Sequence, residues 1–388
     1  MMKQWLDIAD EIKQIYSGKE FVPLHEPTLG EKESEYVTDC IKSGWVSSVG
    51  KYVDQFEKQL AEYVGVKRAV AVVNGTAALH VALKMAGVQP GDEVFMPSLT
   101  FVATANAASY LQAVPHFVDV SKETLGLDPY KLEKHILEIG EMKNGELINK
   151  NTGRIIRTVV PMHTFGHPVD IDQLLIVCKR YNLALVEDAA ESLGSLYKGK
   201  HTGSFGVAGA VSFNGNKIIT TGGGGAILTN DEELADYAKH ITTTAKIPHR
   251  WEYNHDELGY NYRMPNLNAA LGCAQLEKIE YFVSSKRALV NKYKLIFENF
   301  DGVSVFEEGT QVKSNYWLQT LMIDRKNHKL EKVLEVLNAY GIMARPVWTP
   351  MHKLSIFENS PQSNLEVTNY LAESLINIPS TPLKGEEE

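Results

Sequence analysis

Cysteine is scarce and scattered in this chain. Cys40, Cys178 and Cys273 are odd in number, far apart and without CxxC spacing. That pattern supplies neither a disulfide framework nor a metal site, and it reads as free thiols packed like small apolar residues in a reducing compartment. Long apolar runs are missing as well: no stretch approaches the ~20 residues that a membrane span requires. Residues 1–5 lead into acidic and polar positions with no signal-peptide core, so a cytoplasmic protein without membrane contact is expected. Nor is positive charge in excess. The net charge is −9 and no Lys/Arg stripe stands out, which argues against a nucleic-acid partner. Nucleotide fingerprints are also absent: residues 222–225 do not fit GxGxxG, and no GxxxxGK loop exists.

What is present is the composition of a globular enzyme, 44% hydrophobic and 22% charged over 388 residues, long enough for two lobes. Between residues 66 and 230, short β-rich runs (69–73, 93–96, 115–120, 155–162, 183–187, 225–229) alternate with helical patterns (76–86, 103–110, 128–139, 170–181). This alternation predicts an α/β domain with a mostly parallel sheet flanked by helices. A polar Gly/Asn-rich insertion at 138–153 reads as a hairpin or loop. Past Pro265 the pattern changes to one long helical stretch at 268–299, strands at 303–306 and 316–323, and helices at 328–340 and 365–375, a smaller α+β lobe. The expected division is an N-terminal segment 1–27 packed on the small lobe, a large domain 28–265 and a C-terminal domain 266–388. The end of the chain, Gly385-Glu386-Glu387-Glu388, reads as a solvated acidic tail.

Chemistry concentrates in two stretches. Val186-Glu187-Asp188-Ala189-Ala190-Glu191 closes an apolar run with an aspartate, and Lys217 follows 29 residues later, ahead of Thr220-Thr221-Gly222-Gly223-Gly224-Gly225. Pyridoxal phosphate needs such a pair: a lysine to bond its aldehyde and a carboxylate to keep a proton on the ring nitrogen. Asn74-Gly75-Thr76, between a strand and a helix, offers N–H groups and a favourable dipole to a phosphate, although the same turn is an ordinary helix cap in many α/β domains. Phe101, just after a strand, presents either a stacking face for a flat ring or a core side chain. Ser212 is either a further phosphate donor or a turn hydrogen bond.

Taken in order, these segments resemble the DegT/StrS-type sugar aminotransferases of the fold-type I pyridoxal phosphate enzymes. The likeness runs from Ser43-Gly44-Trp45-Val46-Ser47 through Leu258-Gly259-Tyr260-Asn261-Tyr262-Arg263-Met264 to Ala344-Arg345-Pro346-Val347-Trp348 and Ile378-Pro379-Ser380. It implies Lys217 as the lysine that bonds the cofactor, Asp188 at the ring nitrogen, Gly75, Thr76 and Ser212 on the phosphate, and Phe101 on the ring face. It further implies a homodimer in which Asn261 reaches the neighbour's cofactor phosphate. Glu191 stands where the family commonly has Gln or His, near the cofactor's phenolic oxygen. A carboxylate there should have a raised pKa, turn away or share a proton. His163, His167, Arg250 and His352 are candidates for substrate contact, His163 because it ends a strand.

The implied reaction moves nitrogen from L-glutamate to a nucleotide-linked ketosugar, with the cofactor alternating between pyridoxal and pyridoxamine phosphate. His25-Glu26-Pro27 and Trp45-Val46-Ser47-Ser48-Val49-Gly50 resemble the enzymes of legionaminic acid and bacillosamine pathways, implying a UDP-linked 4-keto-6-deoxy-N-acetylhexosamine aminated at C4. The GDP-linked precursor of perosamine is the alternative. A pyridoxamine-dependent sugar dehydratase would carry histidine in place of Lys217, and a non-catalytic regulator of the same fold would not need Lys217 with Asp188.

Overall fold

The computed structural model describes residues 2–383; Met1 and residues 384–388, the acidic tail among them, lie outside the described residues. Its centre is a sheet of strands β1 (Arg68–Val72), β2 (Glu93–Pro97), β3 (Val114–Val118), β4 (Ile155–Val159), β5 (Ala184–Asp188), β6 (Ala208–Ser212) and β7 (Gly225–Thr229), in spatial order β1-β7-β6-β5-β4-β2-β3. From β6 to β3 all neighbours are parallel, while β7 is antiparallel to both β1 and β6. Every residue of β2 and β7 is buried. That is why these runs read as continuously apolar: helices cover both faces of the sheet.

The polar insertion is a hairpin. Its strands Gly140–Lys143 and Glu146–Asn149 join through Asn144 and Gly145, both at positive φ (53° and 82°), as a tight primed turn requires. The second hairpin strand pairs with β4 and brings the sheet to nine strands.

The expected single helix at 268–299 is two helices, Asn266–Leu276 and Ile279–Phe297. Periodicity continues across the break, so the cause is tertiary. Glu277 takes hydrogen bonds from Lys32 and from Tyr36 Oη, and Lys278 Nζ reaches Glu33 Oε2 at 3.2 Å. These ties to the helix Glu31–Ser43 hold the chain at the break. The expected helix at 365–375 likewise stops early, at Glu366–Ala372, because Leu375–Ile378 is a fully buried strand.

That strand (β11) belongs to a second, antiparallel sheet with β8 (Val303–Val305), β9 (Gln319–Ile323) and β10 (Arg345–Pro346), ordered β8-β9-β11-β10. The first helix, Met2–Ile15, packs Trp5, Ile8 and Ile12 into one apolar cluster with Leu289, Tyr293, Leu337 and Ile376. Among the described residues, no helix is long and apolar enough to cross a membrane.

Candidate active site

The parallel strands direct their C-terminal ends to one edge, where crossover loops leave room for a ligand. A cavity of about 370 Å³ lies there, and it gathers Gly75, Thr76, Phe101, Asp188, Glu191, Ser212 and Lys217. Seven residues spread over more than 140 positions thus share one space, because each ends a strand or begins the element after it.

Asp188 ends β5 and is buried. Its carboxylate accepts the Thr104 hydroxyl at 2.6 Å and the Ala190 N–H at 3.2 Å. Burial is the largest influence on it and raises its pKa, with those two bonds and Lys217 opposing. A buried acid in this condition suits a cationic partner in the cavity.

Lys217 follows β6 and the turn Asn214-Gly215-Asn216, where its own N–H donates to the Asn214 carbonyl at 2.9 Å. Its amine meets Glu191 Oε1 at 3.3 Å and lies 3.9 Å from the centre of the Trp317 ring. The other Glu191 oxygen accepts the Phe165 N–H at 2.9 Å. Burial foremost pushes the Glu191 carboxyl up to about 7, against the pull of Lys217 and of that N–H. Of the three outcomes anticipated for this residue, the raised pKa is the one seen, and the carboxyl meets Lys217, a contact not anticipated.

The helix Gly75–Met85 begins under Asn74, whose side chain caps the Ala77 N–H at 2.8 Å. Among the described residues, no protein acceptor takes the first two helical N–H groups, those of Gly75 and Thr76. A Cβ on Gly75 would come within 2.8 Å of Ser212 Cβ, so glycine keeps this end open to an anion beside the Ser212 hydroxyl. Phe101 is 48% exposed, its ring 6.3 Å from that of Trp348. The set fits pyridoxal phosphate: an anion cradle, a flat aromatic face, a buried acid and a lysine around one cavity.

Sequence reasoning missed Thr104, Trp317 and Trp348. Thr104 stands three residues beyond Phe101 at the start of the helix Val102–Tyr110, a spacing that faces both inward. The tryptophans come from the second lobe, where apolar rings carry no local mark of a site.

Other candidates lie elsewhere. His163 is fully buried; its Nε2 meets Glu187 Oε1 at 3.2 Å and its Nδ1 accepts the Val169 N–H at 3.3 Å, so both ring nitrogens are satisfied without a ligand. Glu187 also accepts N–H groups of Gly203, Phe205 and Gly206, which makes this pair a brace behind β5 rather than a wall of the cavity. His167 packs edge-on against Phe306 and Tyr316, and burial lowers its pKa to about 3. His352 shares a 2.7 Å hydrogen bond with Ser98, and Arg250 is exposed beside Trp251. Asn261 is exposed and does not line the cavity of its own chain.

Residues 27–388 match the family described as the DegT/DnrJ/EryC1/StrS aminotransferase family. The GDP-perosamine synthase of Escherichia coli O157:H7 is 37% identical over 375 residues, 95% of this chain and 95% of that protein. EpsN of Bacillus subtilis (strain 168), provisionally named a pyridoxal phosphate-dependent aminotransferase, is 38% identical over 369 residues, 94% of this chain and 92% of its own length. Among solved structures, Helicobacter pylori PseC, an aminotransferase involved in the biosynthesis of pseudoaminic acid, superposes with a TM-score of 0.82 at 26% identity, covering 93% of this chain and 94% of that one.

Proposed function

The chain belongs to the DegT/DnrJ/EryC1/StrS aminotransferase family and is a pyridoxal phosphate-dependent sugar aminotransferase, and from that premise we propose that it aminates C4 of a nucleotide-linked 4-keto-6-deoxyhexose with L-glutamate as donor. The observation that carries the reading is the meeting of Lys217 with Asp188 and the Gly75–Ser212 cradle in one cavity. When bound, pyridoxal phosphate supplies an aldehyde that links amines and a ring that takes up electrons.

In this reading Gly75, Thr76 and Ser212 bind the phosphate, and Phe101 orients the ring. Asp188, fixed by Thr104, holds a proton at the ring nitrogen. Lys217 bonds the aldehyde at rest and, once displaced by the donor amine, carries a proton from the substrate carbon, acting first as base and then as acid. Glu191, whose carboxyl takes up a proton near neutral pH, holds one beside that amine.

Two sugar classes remain in the proposal. The His25-Glu26-Pro27 and Trp45–Gly50 likeness supports a UDP-linked N-acetylated sugar, and the GDP-perosamine synthases at 34–37% identity support a GDP-linked one. We also take the active unit to be a homodimer. In support, Asn261 is exposed and does not line its own chain's cavity, and its segment exposes Trp251, Tyr253 and Leu258 at 70, 77 and 74%. The test is an absorbance spectrum: a band near ~410–420 nm that gives way to one near ~330 nm on adding L-glutamate, and returns with the correct ketosugar from a UDP, GDP and dTDP panel. No band after adding pyridoxal phosphate would overturn the reading.

A further inference from the structure

Trp317 is held more firmly than a cavity-lining ring requires. It is 4% exposed, with the face of its ring 3.9 Å from Lys217 Nζ. Its backbone N–H donates to Asn315 Oδ1 at 2.8 Å, and its carbonyl accepts from Lys286 Nζ at 3.0 Å and Ser380 Oγ at 2.8 Å. The indole Nε1–H donates to the Asn216 carbonyl at 2.6 Å, next to Lys217 in the chain. Asn315 in turn donates to the carbonyls of Glu191 and Leu193 at 2.9 and 2.8 Å. Tyr316, immediately before the indole, sits at φ 47°, a left-handed conformation that a bulky L-residue adopts only under constraint. Bonds from both lobes and a strained backbone therefore converge on the placement of this one ring. An ammonium over an indole face is attracted by the ring's quadrupole, most strongly where water is excluded. On its other side the amine meets Glu191.

We infer that Trp317 is a positioning residue which, with Glu191, seats the Lys217 amine whenever that amine is not bonded to the cofactor, and so favours the pyridoxamine phosphate form over the pyridoxal phosphate form. The inference rests on the function proposed above. If the ammonium condensed with an aldehyde, two of its N–H hydrogens would leave with the aldehyde oxygen as water, and its nitrogen would be bonded to the cofactor's carbon. The contact made by the free ammonium is then surrendered in whole or in part. Pyridoxamine phosphate has no aldehyde, so it leaves the lysine free and the seat filled.

The test is equilibrium binding to the cofactor-free protein, without turnover. Dissociation constants for pyridoxal phosphate and pyridoxamine phosphate are measured for the natural protein, Trp317→Leu and Trp317→Phe, with a melting curve for each. Trp317→Leu should raise the ratio of the pyridoxamine to the pyridoxal constant by roughly 2- to 30-fold, the range expected of a desolvated cation–π contact. Trp317→Phe keeps a ring face without the indole N–H and should retain most of the natural ratio. A common weakening of both ligands, or equal ratios in the Leu and Phe variants, overturns the inference by assigning Trp317 a structural or hydrogen-bonding role. If Trp317→Leu does not fold, Trp317→Met, of similar reach and without a ring, carries the same prediction. Failure of the natural protein to bind either cofactor form would instead overturn the functional reading itself.

Discussion

Lys217 Nζ and Glu191 Oε1 stand 3.3 Å apart in a cavity that also holds the buried Asp188. One ammonium thus serves two acids, both driven toward the protonated form by burial. The two differ in their remaining partners. Asp188 has the Thr104 hydroxyl and a backbone N–H and looks into the cavity, whereas Glu191 is shared between Phe165 and the lysine. Their environments therefore divide the work: Asp188 is equipped to face a cation, and Glu191 to take up and release a proton near neutral pH.

The Glu191 shift has a sign that can be checked. A carboxyl at about 7 in the folded protein, against an ordinary 4.5, keeps its proton longer when folded than when unfolded. Its contribution to stability is therefore fully present below the ordinary value and is lost as pH rises to about 7. Glu191→Gln should remove this part of the decline from the cofactor-free protein, an effect on the order of 3 kcal/mol at most across the window. Denaturant melts of both proteins between those pH values measure it. Parallel curves would mean that folding leaves the Glu191 carboxyl at its ordinary value.

Lys217→Ala should leave the protein folded and lower turnover by roughly 10²–10⁴-fold or more, since the proton carrier is gone. Asp188→Asn keeps the shape and the Thr104 contact but not the charge, and should slow turnover by roughly 10²-fold or more. Coupled assay of glutamate-dependent sugar amination reads both. Turnover within a few-fold of the natural protein would remove the residue concerned from its assigned role.

Much of this site was legible because its parts are local. Lys217, Asp188, Gly75, Thr76, Phe101 and Ser212 each sit at a strand end or in the turn after it, and short motifs mark such places. Trp317 and Trp348 were not legible, since an aromatic in a second-lobe strand or loop looks like core until the chain folds back about 100 residues later. His163 misled for a related reason: a histidine ending a strand suggests a ligand contact, and only the structure pairs it with Glu187. Six of the strands β1–β7 followed from alternation, whereas β6 (Ala208–Ser212) was not among those expected; alternation also carries no direction, so β7 lying antiparallel between β1 and β6 could not be read from it. The break at Glu277 and Lys278 depended on partners about 245 residues away.

Gly75→Ala tests the phosphate cradle separately from the chemistry. The added methyl would lie 2.8 Å from Ser212 Cβ, so Ser212 must shift or the helix start must yield. Pyridoxal phosphate should bind about 10-fold or more weakly, as expected when anion contacts worth a little over 1 kcal/mol are spoiled. Pyridoxal without its phosphate should lose much less, and comparing the two ligands isolates the effect. Equal losses would place the phosphate elsewhere.

The shared site of the proposed dimer can be tested by mixing two inactive chains. Asn261→Asp would put a negative charge against the neighbour's cofactor phosphate, and Lys217→Ala removes the amine. If Asn261 serves the neighbouring cavity, a hybrid of the two variants has one site with both defects and one with neither. Random exchange makes half of the dimers hybrids, so about a quarter of the natural activity should return on mixing. If Asn261 instead serves its own chain, each site of the hybrid keeps one defect and no activity returns. Co-expression with two different tags, followed by purification of the hybrid alone, separates these outcomes without relying on exchange. The exposed Trp251, Tyr253 and Leu258 supply a second reading, because covering them at an interface should slow the exchange of their backbone amides with solvent in the dimer.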